Sequence, residues 1–296
     1  MGEKNITKNQ HYVPQVYLRS FSPDSKRVWS YSLDPMDSGK LVPIESVCRE
    51  KFLYEVKDDG GNLLGPNYLE NVLCHLEGLF AKNLRALEKK AFHKENYLTK
   101  CILTSEEKAF WKAYIAIQIM RRPEVIQATH DVLTEFLGDQ LSENKIHTVA
   151  LTQCLPFFSE IKPEDRSALS VFLQPLLNMS IAIGVDESGS LFTSDSPVYC
   201  YYSDRENLAE AKEYDKIILP LTPKLVMILF GGETARHYRN NRLIPVDNED
   251  LKEIKLSIAY AAQRWIYSQK ELSKMDRTII EQARRDKAED ETAQRG

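Results

Sequence analysis

The amino-acid sequence predicts a mostly helical α+β protein, with a small β element near the N-terminus and an antiparallel β-sheet later in the chain. The middle of the sequence places apolar residues every three or four positions, as a buried helix face requires. Two segments near the N-terminus alternate apolar and polar residues, and a series of short, β-branched segments follows residue 178. Strands and helices that are segregated in this way are typical of α+β folds rather than alternating βαβ folds.

The N-terminal region predicts a short helix and two strands. Residues 1–10 are polar, and we expect them to be flexible. Pro14 suits the first turn of a helix over residues 12–21, because the N–H that proline lacks has no helical partner there. The alternating segments Arg27–Leu33 and Phe52–Val56 are predicted to be half-buried strands.

Two strong helices and three weaker ones are predicted for the middle of the chain. The first begins at Pro66 and continues to about Lys90 with a continuous stripe of apolar residues. The second begins after Thr104, whose hydroxyl is a good N-cap, and it is apolar on nearly every face, which is typical of a central helix. Pro123 ends it. The weaker helices are predicted over residues 123–141, 145–155 and 163–178.

The C-terminal part is predicted to hold five strands and then two helices. The strands are Met179–Val185, Leu191–Thr193, Val198–Tyr202, Lys216–Leu219 and Leu225–Phe230. The helices cover about 249–268 and 271–287, and residues 286–296 carry mixed charges that predict a flexible tail. We find no linker composition between these parts, so we predict one domain over residues 11–285.

The composition excludes several classes of protein. The 296 residues carry 39 basic and 43 acidic side chains, a net charge of −4, which argues against nucleic-acid binding through an extended basic surface. The five cysteines form no C-x-x-C pair, so we expect them to be small core residues of a protein in a reducing compartment. The sequence shows no secretory signal and no apolar run long enough to cross a bilayer, which predicts a cytoplasmic protein without a membrane partner.

Three motifs resemble those of a mostly bacterial protein family. They are His11–Phe21 (HYVPQVYLRSF), Gln118–Pro123 (QIMRRP) and Ser194–Val198 (SDSPV), the last followed by PLTP at 220–223. In this order they are similar to the signatures of the family catalogued as domain of unknown function 4238, over residues 10–270. That family more often has an aromatic residue at Val16 and a threonine at Arg122. Since it has no settled activity, the resemblance implies where a site lies and not what the site does.

His11 and Arg19 flank the predicted short helix. Histidine is the side chain that exchanges a proton near neutral pH without assistance, so His11 is our candidate general acid or base. The alternative is a histidine whose ring anchors a loop. Arg19 is a candidate for binding a phosphate or carboxylate, and a structural ion pair is its alternative.

The long first helix carries two acidic residues on one edge. Glu70 and Glu77 are seven positions apart, which places them roughly 10 Å from each other along the helix axis. They cannot form a tight catalytic pair, but either can hold an arginine or supply one oxygen ligand to a metal ion. A solvated helix edge is the alternative. We keep Glu77 as a site candidate.

Gln118 and Arg121 lie at the end of the apolar second helix. A buried glutamine amide costs about 1–3 kcal/mol for each unmet hydrogen-bonding group, so its presence there predicts polar partners. Arg121 follows three positions later on nearly the same face. We therefore predict a polar pocket that includes both. Helix C-terminal placement alone explains an exposed arginine but not the glutamine.

Asp195 lies in a turn between two predicted strands. Its carboxylate is a candidate for orienting His11 or binding a metal ion, and a turn that caps its own backbone is the alternative. The segment lacks the G-x-S-x-G nucleophile elbow, and the chain contains no Walker A, G-x-G-x-x-G or H-E-x-x-H motif.

The candidate site thus comprises one imidazole, two guanidiniums, two carboxylates and one amide: His11, Arg19, Arg121, Glu77, Asp195 and Gln118. Such a set suits an anionic substrate, either a nucleotide or a nucleic-acid end, and a divalent metal ion is a possible cofactor. The first hypothesis is a phosphodiester or nucleotide hydrolase, for example an effector of phage defence. The second is a ligand-binding or sensor module that uses the same pocket without catalysis. The third is a polar cluster that only stabilises the fold.

Overall fold

Six stretches of the chain are described by the structure, a computed structural model: residues 6–93, 101–138, 140–157, 167–201, 214–231 and 239–293. Within them the chain forms eight α-helices and thirteen β-strands arranged as a single α+β domain, as the sequence predicts. Parts of five predictions lie outside the described residues, namely 1–5, 139, 163–166, Tyr202 and 294–296.

The N-terminal part forms small sheets around one short helix. Its elements are β1 (Asn9–His11), α1 (Gln15–Arg19), β2 (Arg27–Ser32), β3 (Lys40–Pro43), β4 (Arg49–Lys51), β5 (Val56–Lys57) and β6 (Leu63–Leu64). β1 pairs antiparallel with β4, and this register places His11 opposite Arg49. The predicted strand over Phe52–Val56 is wrong except at Val56. The chain turns at Phe52, which has a φ of +56°, and this conformation is incompatible with an extended strand.

Five helices follow: α2 (Tyr68–Ala91), α3 (Ser105–Met120), α4 (Pro123–Leu137), α5 (Glu143–Cys154) and α6 (Ala168–Asn178). Thr104 caps α3 as predicted, because its hydroxyl accepts from the N–H of Glu107 while the Glu107 carboxylate accepts from the N–H of Thr104. The ring of Tyr114 on α3 stacks on Phe80 of α2 at a centroid distance of 4.7 Å. The central position predicted for α3 is confirmed, since Trp111 and Tyr114 are fully buried.

A five-stranded sheet divides the domain into two hydrophobic cores. It contains β7 (Ser180–Val185), β9 (Tyr199–Tyr201), β10 (Lys216–Thr222), β11 (Leu225–Phe230) and β12 (Leu243–Pro245), whereas β8 (Thr193–Ser194) joins another sheet. The strand order is β12-β7-β11-β10-β9, and every pair is antiparallel except β12 with β7. Alternate residues of β10 face opposite cores: Ile217 packs with the helices α2–α6, and Ile218 packs with the C-terminal helices.

The C-terminal part differs from the predicted pair of helices. Helix α7 (Asn248–Ala261) ends earlier than predicted, and β13 (Trp265–Ser268) follows it. β13 occupies the centre of a four-stranded antiparallel sheet of order β3-β2-β13-β8. The helical prediction for residues 262–268 is wrong because the partner of β13 is β2, which lies more than 200 positions away and cannot be identified from local periodicity.

Helix α8 (Lys274–Ala293) extends into the stretch that the sequence predicts as a flexible tail. Two contacts tie this stretch to the rest of the domain. The Tyr260 hydroxyl donates to Asp290 at 2.7 Å, and the Lys287 ammonium donates to the carbonyl of Ala262 at 3.0 Å. Mixed charge in this sequence therefore marks a solvated helix face that continues to Ala293.

Two further predictions concern the burial of the cysteines and the absence of a membrane-spanning segment. All five cysteines are free thiols; Cys48 and Cys154 are buried, but Cys74 and Cys101 are exposed, so the expectation of core positions holds only in part. None of the helices in the described ranges is both long enough and apolar enough to span a bilayer.

Candidate functional site

Arg121, at the C-terminus of α3, is the most completely enclosed charge of the candidate site. It is 1% exposed. Its Nη2 donates to the backbone carbonyl of His11 at 2.5 Å, its Nη1 lies 3.4 Å from Glu77 Oε1, and its Nε lies 3.3 Å from the Tyr54 hydroxyl. The Tyr54 hydroxyl in turn donates to the Arg121 carbonyl at 2.9 Å. We call His11, Tyr54, Glu77 and Arg121 the Arg121 cluster.

Glu70 and Glu77 of α2 differ in how their charge is balanced. Burial raises the pKa of Glu77, and the neighbouring Arg121 and Arg19 guanidiniums oppose that rise. Burial raises the pKa of Glu70 to about 7; Arg121 opposes this rise, and the negative charges of Glu77 and Glu55 add to it. Glu70 Oε2 is buried without a hydrogen-bond partner among the described residues. Glu70 therefore exchanges its proton near neutral pH, which makes it a site candidate that our sequence reasoning set aside.

His11, Gln15 and Arg19 form a chain of hydrogen bonds along α1. Arg19 Nη2 donates to Gln15 Oε1 at 3.2 Å, and Gln15 Nε2 lies 3.5 Å from His11 Nδ1. His11 Nε2 lies 3.3 Å from the carbonyl oxygen of Glu45. Because a carbonyl only accepts, this contact assigns the ring proton to Nε2 and leaves Nδ1 as the basic atom.

The surroundings of His11 keep its ring neutral. Burial lowers its pKa below the usual value, the carbonyl of Glu45 opposes this effect, and the guanidiniums of Arg49, Arg121 and Arg19 lower it further. Three guanidiniums around one half-buried imidazole disfavour a fourth positive charge and favour a negative one. The guanidiniums of these three arginines therefore make the electrostatic environment of His11 more positive.

Arg19 borders an open cleft of about 620 Å³. The same cleft is lined by two further cations, Lys26 and Arg27, and by the acidic residues Asp24 and Glu45. Asp24 forms an ion pair with Arg27 at 2.8 Å, so Arg19 and Lys26 supply most of the free positive charge on this wall. Gln15, which contacts both His11 and Arg19, also lines this cleft, whereas His11 is not among its lining residues.

Gln118 is buried as predicted, with 2% exposure, but its relation to Arg121 differs from the predicted shared pocket. In the described part of the chain Gln118 Nε2 has no hydrogen-bond partner. The partners of the Arg121 guanidinium come from β1, Tyr54 and α2 instead. Gln118 thus lies on the buried face of α3 with Trp111 and Tyr114, each of which also has one buried polar atom without a described partner.

Arg122 and Asp195 have hydrogen-bond partners outside the Arg121 cluster. Arg122 precedes Pro123, which forces an extended backbone (ψ 141°) and turns its side chain away from the Arg121 cluster. Its guanidinium donates to the hydroxyl of Ser196. Asp195 accepts hydrogen bonds from the backbone N–H groups of Gln263 (2.9 Å), Arg264 (2.8 Å) and Trp265 (3.2 Å).

Asp195 therefore anchors the chain between α7 and β13. It is 4% exposed; burial raises its pKa to about 6, although the three N–H donors lower it. No described hydrogen bond connects its carboxylate to His11, which is the role we expected. Glu77 and Asp195, the two expected metal ligands, lie in separate groups, and the described residues contain no set of three His, Cys, Asp or Glu side chains suited to a metal ion.

Four of the six sequence-predicted residues are thus connected: His11, Arg19, Glu77 and Arg121. The structure adds Gln15, Tyr54 and Glu70 to them. Gln15 could have been found from the sequence, because it lies four positions before Arg19 and so shares a helix face with it. Tyr54 follows an irregular turn and carries no local signal.

Replacing Arg121 is expected to destabilise the fold strongly. Arg121→Met leaves the Glu77 carboxylate and the His11 carbonyl without their buried donor, and breaking a buried ion pair costs about 3–5 kcal/mol. Urea denaturation should show a loss of that size. The control Arg19→Met removes an exposed guanidinium and should cost less than about 0.5 kcal/mol. Equal losses in the two variants would contradict the central role of Arg121.

Asp195→Asn is expected to lower the free energy of unfolding by about 1–3 kcal/mol. The amide offers one acceptor oxygen to three N–H donors, and its own NH₂ group finds no acceptor among them. The exposed Asp131→Asn is the matched control and should be near neutral. Denaturation of both variants tests this, and an unchanged Asp195→Asn protein would mean that the anchor does not stabilise the chain.

A protein-family model matches most of the chain. No curated protein and no solved structure gave a significant match. The family model described as "Protein of unknown function (DUF4238)" matches residues 9–271, a range that contains His11, Arg19, the Arg121 cluster and Asp195. The chain therefore belongs to the DUF4238 family, as its three motifs indicate.

Proposed function

We propose that this protein hydrolyses a phosphodiester or nucleotide substrate, with His11 as the general base and Arg19 as the residue that binds the phosphate. The observation that carries the proposal is the orientation of His11: its Nε2 lies 3.3 Å from the carbonyl of Glu45, which assigns the ring proton to Nε2 and leaves Nδ1 with a lone pair that can take a proton. The same arrangement, one ring nitrogen fixed by an acceptor and the other left basic, is what a histidine base requires.

The geometry suggests how the residues would act. Gln15 Nε2 contacts Nδ1 at 3.5 Å, a long contact that a water molecule can replace at little cost. Nδ1 then removes a proton from that water molecule while the water oxygen forms a bond to phosphorus. The bond from phosphorus to the leaving oxygen breaks with its electron pair, and His11 returns the proton to that oxygen. Arg19 neutralises charge on the non-bridging oxygens.

The electrostatics of the site support an anionic substrate. Arg19, Arg49 and Arg121 all lower the pKa of His11, so a bound phosphate would offset positive charge that is already present. Arg121 is enclosed and holds the backbone of His11 in place. In this proposal it is a positioning residue and does not touch the substrate.

Binding without turnover is the second candidate function. The observation that favours it is that Arg121 and Glu77 are committed to each other, so His11 and Arg19 would act with little assistance. A sensor for an anionic small molecule needs only the cleft beside Arg19 and the positive field around His11.

His11→Gln separates the two candidates. The enzyme proposal expects its kcat to fall about 10²- to 10⁴-fold on a panel of nucleotides and short nucleic acids with Mg²⁺ or Mn²⁺. His75→Gln, an exposed histidine on α2, is the matched control and should keep wild-type turnover. Identical turnover by wild type and His11→Gln would reject His11 as the base. Saturable binding without turnover by either protein would favour the sensor.

The pH dependence should report His11 directly. Its pKa in the free protein lies below 6.5, so kcat/KM should rise with pH on the acid side and level off before neutrality, because the base must be unprotonated. A bound phosphate raises the pKa of the nearby imidazole, so the acid limb of kcat should lie at higher pH than that of kcat/KM. Coincident limbs would place the substrate away from His11.

A further inference from the structure

A second pocket, of about 380 Å³, lies on one face of the four-stranded sheet. We call it the sheet pocket, and its principal lining residues are Tyr12, Ser30, Lys40, Arg264, Trp265 and Tyr267. The segment 43–50 runs between this pocket and the Arg19 cleft, because residues 43–45 line the cleft and residues 46–50 line the sheet pocket. The volume falls in the range of small-molecule sites.

The strand register explains why the pocket exists. In the sheet, Tyr267 lies opposite Ser30, and Ser30 lies opposite Lys40. Residues opposite each other project from the same face, so these three side chains form one row across β13, β2 and β3. The intervening Ile266 and Tyr31 face the other core. Ser30 is the small member of the row, and the space above it is what a larger side chain would fill.

The floor of the pocket is aromatic and unreactive. Tyr12, Trp265 and Tyr267 present ring surfaces, and the Cys48 thiol donates to the Tyr267 hydroxyl at 3.3 Å. Burial raises the pKa of Cys48, so it remains a thiol and supplies no nucleophile. An aromatic floor of this kind suits a flat ligand group that stacks on the rings.

The rim of the pocket is mainly basic. The exposed cations Lys40, Arg49 and Arg264 surround it, and Glu50 is the acidic residue among the lining side chains. Glu124 and Asp195 add negative charge nearby, since both raise the pKa of groups around the pocket. The rim therefore offers three guanidinium or ammonium donors and one carboxylate acceptor within a single small cavity.

We propose that the sheet pocket binds a mononucleotide, with the base stacked on Trp265 and the phosphate held by Lys40, Arg49 and Arg264. An aromatic floor with a basic rim matches the two parts of such a ligand. The positive charge is confined to the rim, and the net charge of the chain is −4, so a free nucleotide suits the pocket better than an extended strand. The carboxylate of Glu50 can accept from an exocyclic amine of the base.

The pocket is also held in shape before any ligand arrives. Asp195 binds the N–H groups of Arg264 and Trp265, which fixes the backbone of two residues that would contact the nucleotide. Ligand binding therefore loses little conformational entropy at these two residues. This assignment rests on the residues of the sheet pocket and does not require turnover at His11; Arg49 is the residue that also contributes to the charge around His11.

Isothermal titration of the full chain with adenosine 5′-monophosphate tests the assignment. Saturable binding is expected, with adenosine and ribose 5-phosphate each weaker by at least about tenfold, because each lacks one of the two recognised parts. Trp265→Leu should weaken binding about 5- to 100-fold, and Arg264→Gln should also weaken it. Trp29→Leu, on the opposite face of the same sheet, and Arg285→Gln, on the exposed face of α8, are the matched controls and should bind as wild type.

Three results would overturn the assignment. They are inorganic phosphate binding as tightly as the nucleotide, a single-stranded tetranucleotide binding more than about tenfold more tightly than it, or loss of binding in His11→Gln with none in Trp265→Leu. Unchanged binding in His11→Gln is expected, whatever that variant does to turnover. If Trp265→Leu fails to fold by circular dichroism, the exposed substitutions Arg264→Gln and Lys40→Gln decide the outcome, and wild-type binding by both would reject the pocket.

Discussion

The buried guanidinium of Arg121 is the interaction on which the arrangement of this domain depends. It joins three parts of the chain that are distant in sequence: the carbonyl of His11 on β1, the hydroxyl of Tyr54 and the carboxylate of Glu77 on α2. An enclosed charge without partners is too costly to persist, so these groups must meet in one geometry. The stacking of Phe80 on Tyr114 continues the same contact between α2 and α3 farther along.

This constraint also sets the electrostatics of the candidate site. The positive charge of Arg121 lowers the pKa of His11 and opposes the rise that burial causes at Glu70 and Glu77. Burial, assisted by Arg121 and two other guanidiniums, lowers the pKa of His11, whereas burial opposed by Arg121 raises the pKa of Glu70 to about 7. Arg121 therefore contributes both to the stability of the fold and to the electrostatics of the candidate site. Asp195 plays a comparable structural part elsewhere, since its carboxylate holds the entry to β13 and, with it, one wall of the sheet pocket.

The success of sequence reasoning depended on the range of the interactions concerned. The helices with strong apolar stripes, α2 and α3, and the cap at Thr104 were predicted because they follow from residues within a few positions. β13 was predicted as helix, since its partner β2 is remote in sequence. In the site, His11, Arg19, Glu77 and Arg121 were proposed and are connected, whereas Gln15 was overlooked despite its regular spacing. Asp195 had the right residue type for a site but its neighbours are backbone N–H groups.

The sequence by itself determined the α+β class, the long helices, the Arg121–Pro123 helix end and the group of polar residues from which a site could be built. Only the tertiary structure decided which of them meet. The side chains of the consecutive residues Arg121 and Arg122 point in different directions. Pro123 forces an extended backbone at Arg122, whose guanidinium contacts Ser196, whereas the guanidinium of Arg121 is buried. Which polar groups come together is set by the packing of remote segments around buried charge, and local sequence patterns carry no information about that packing.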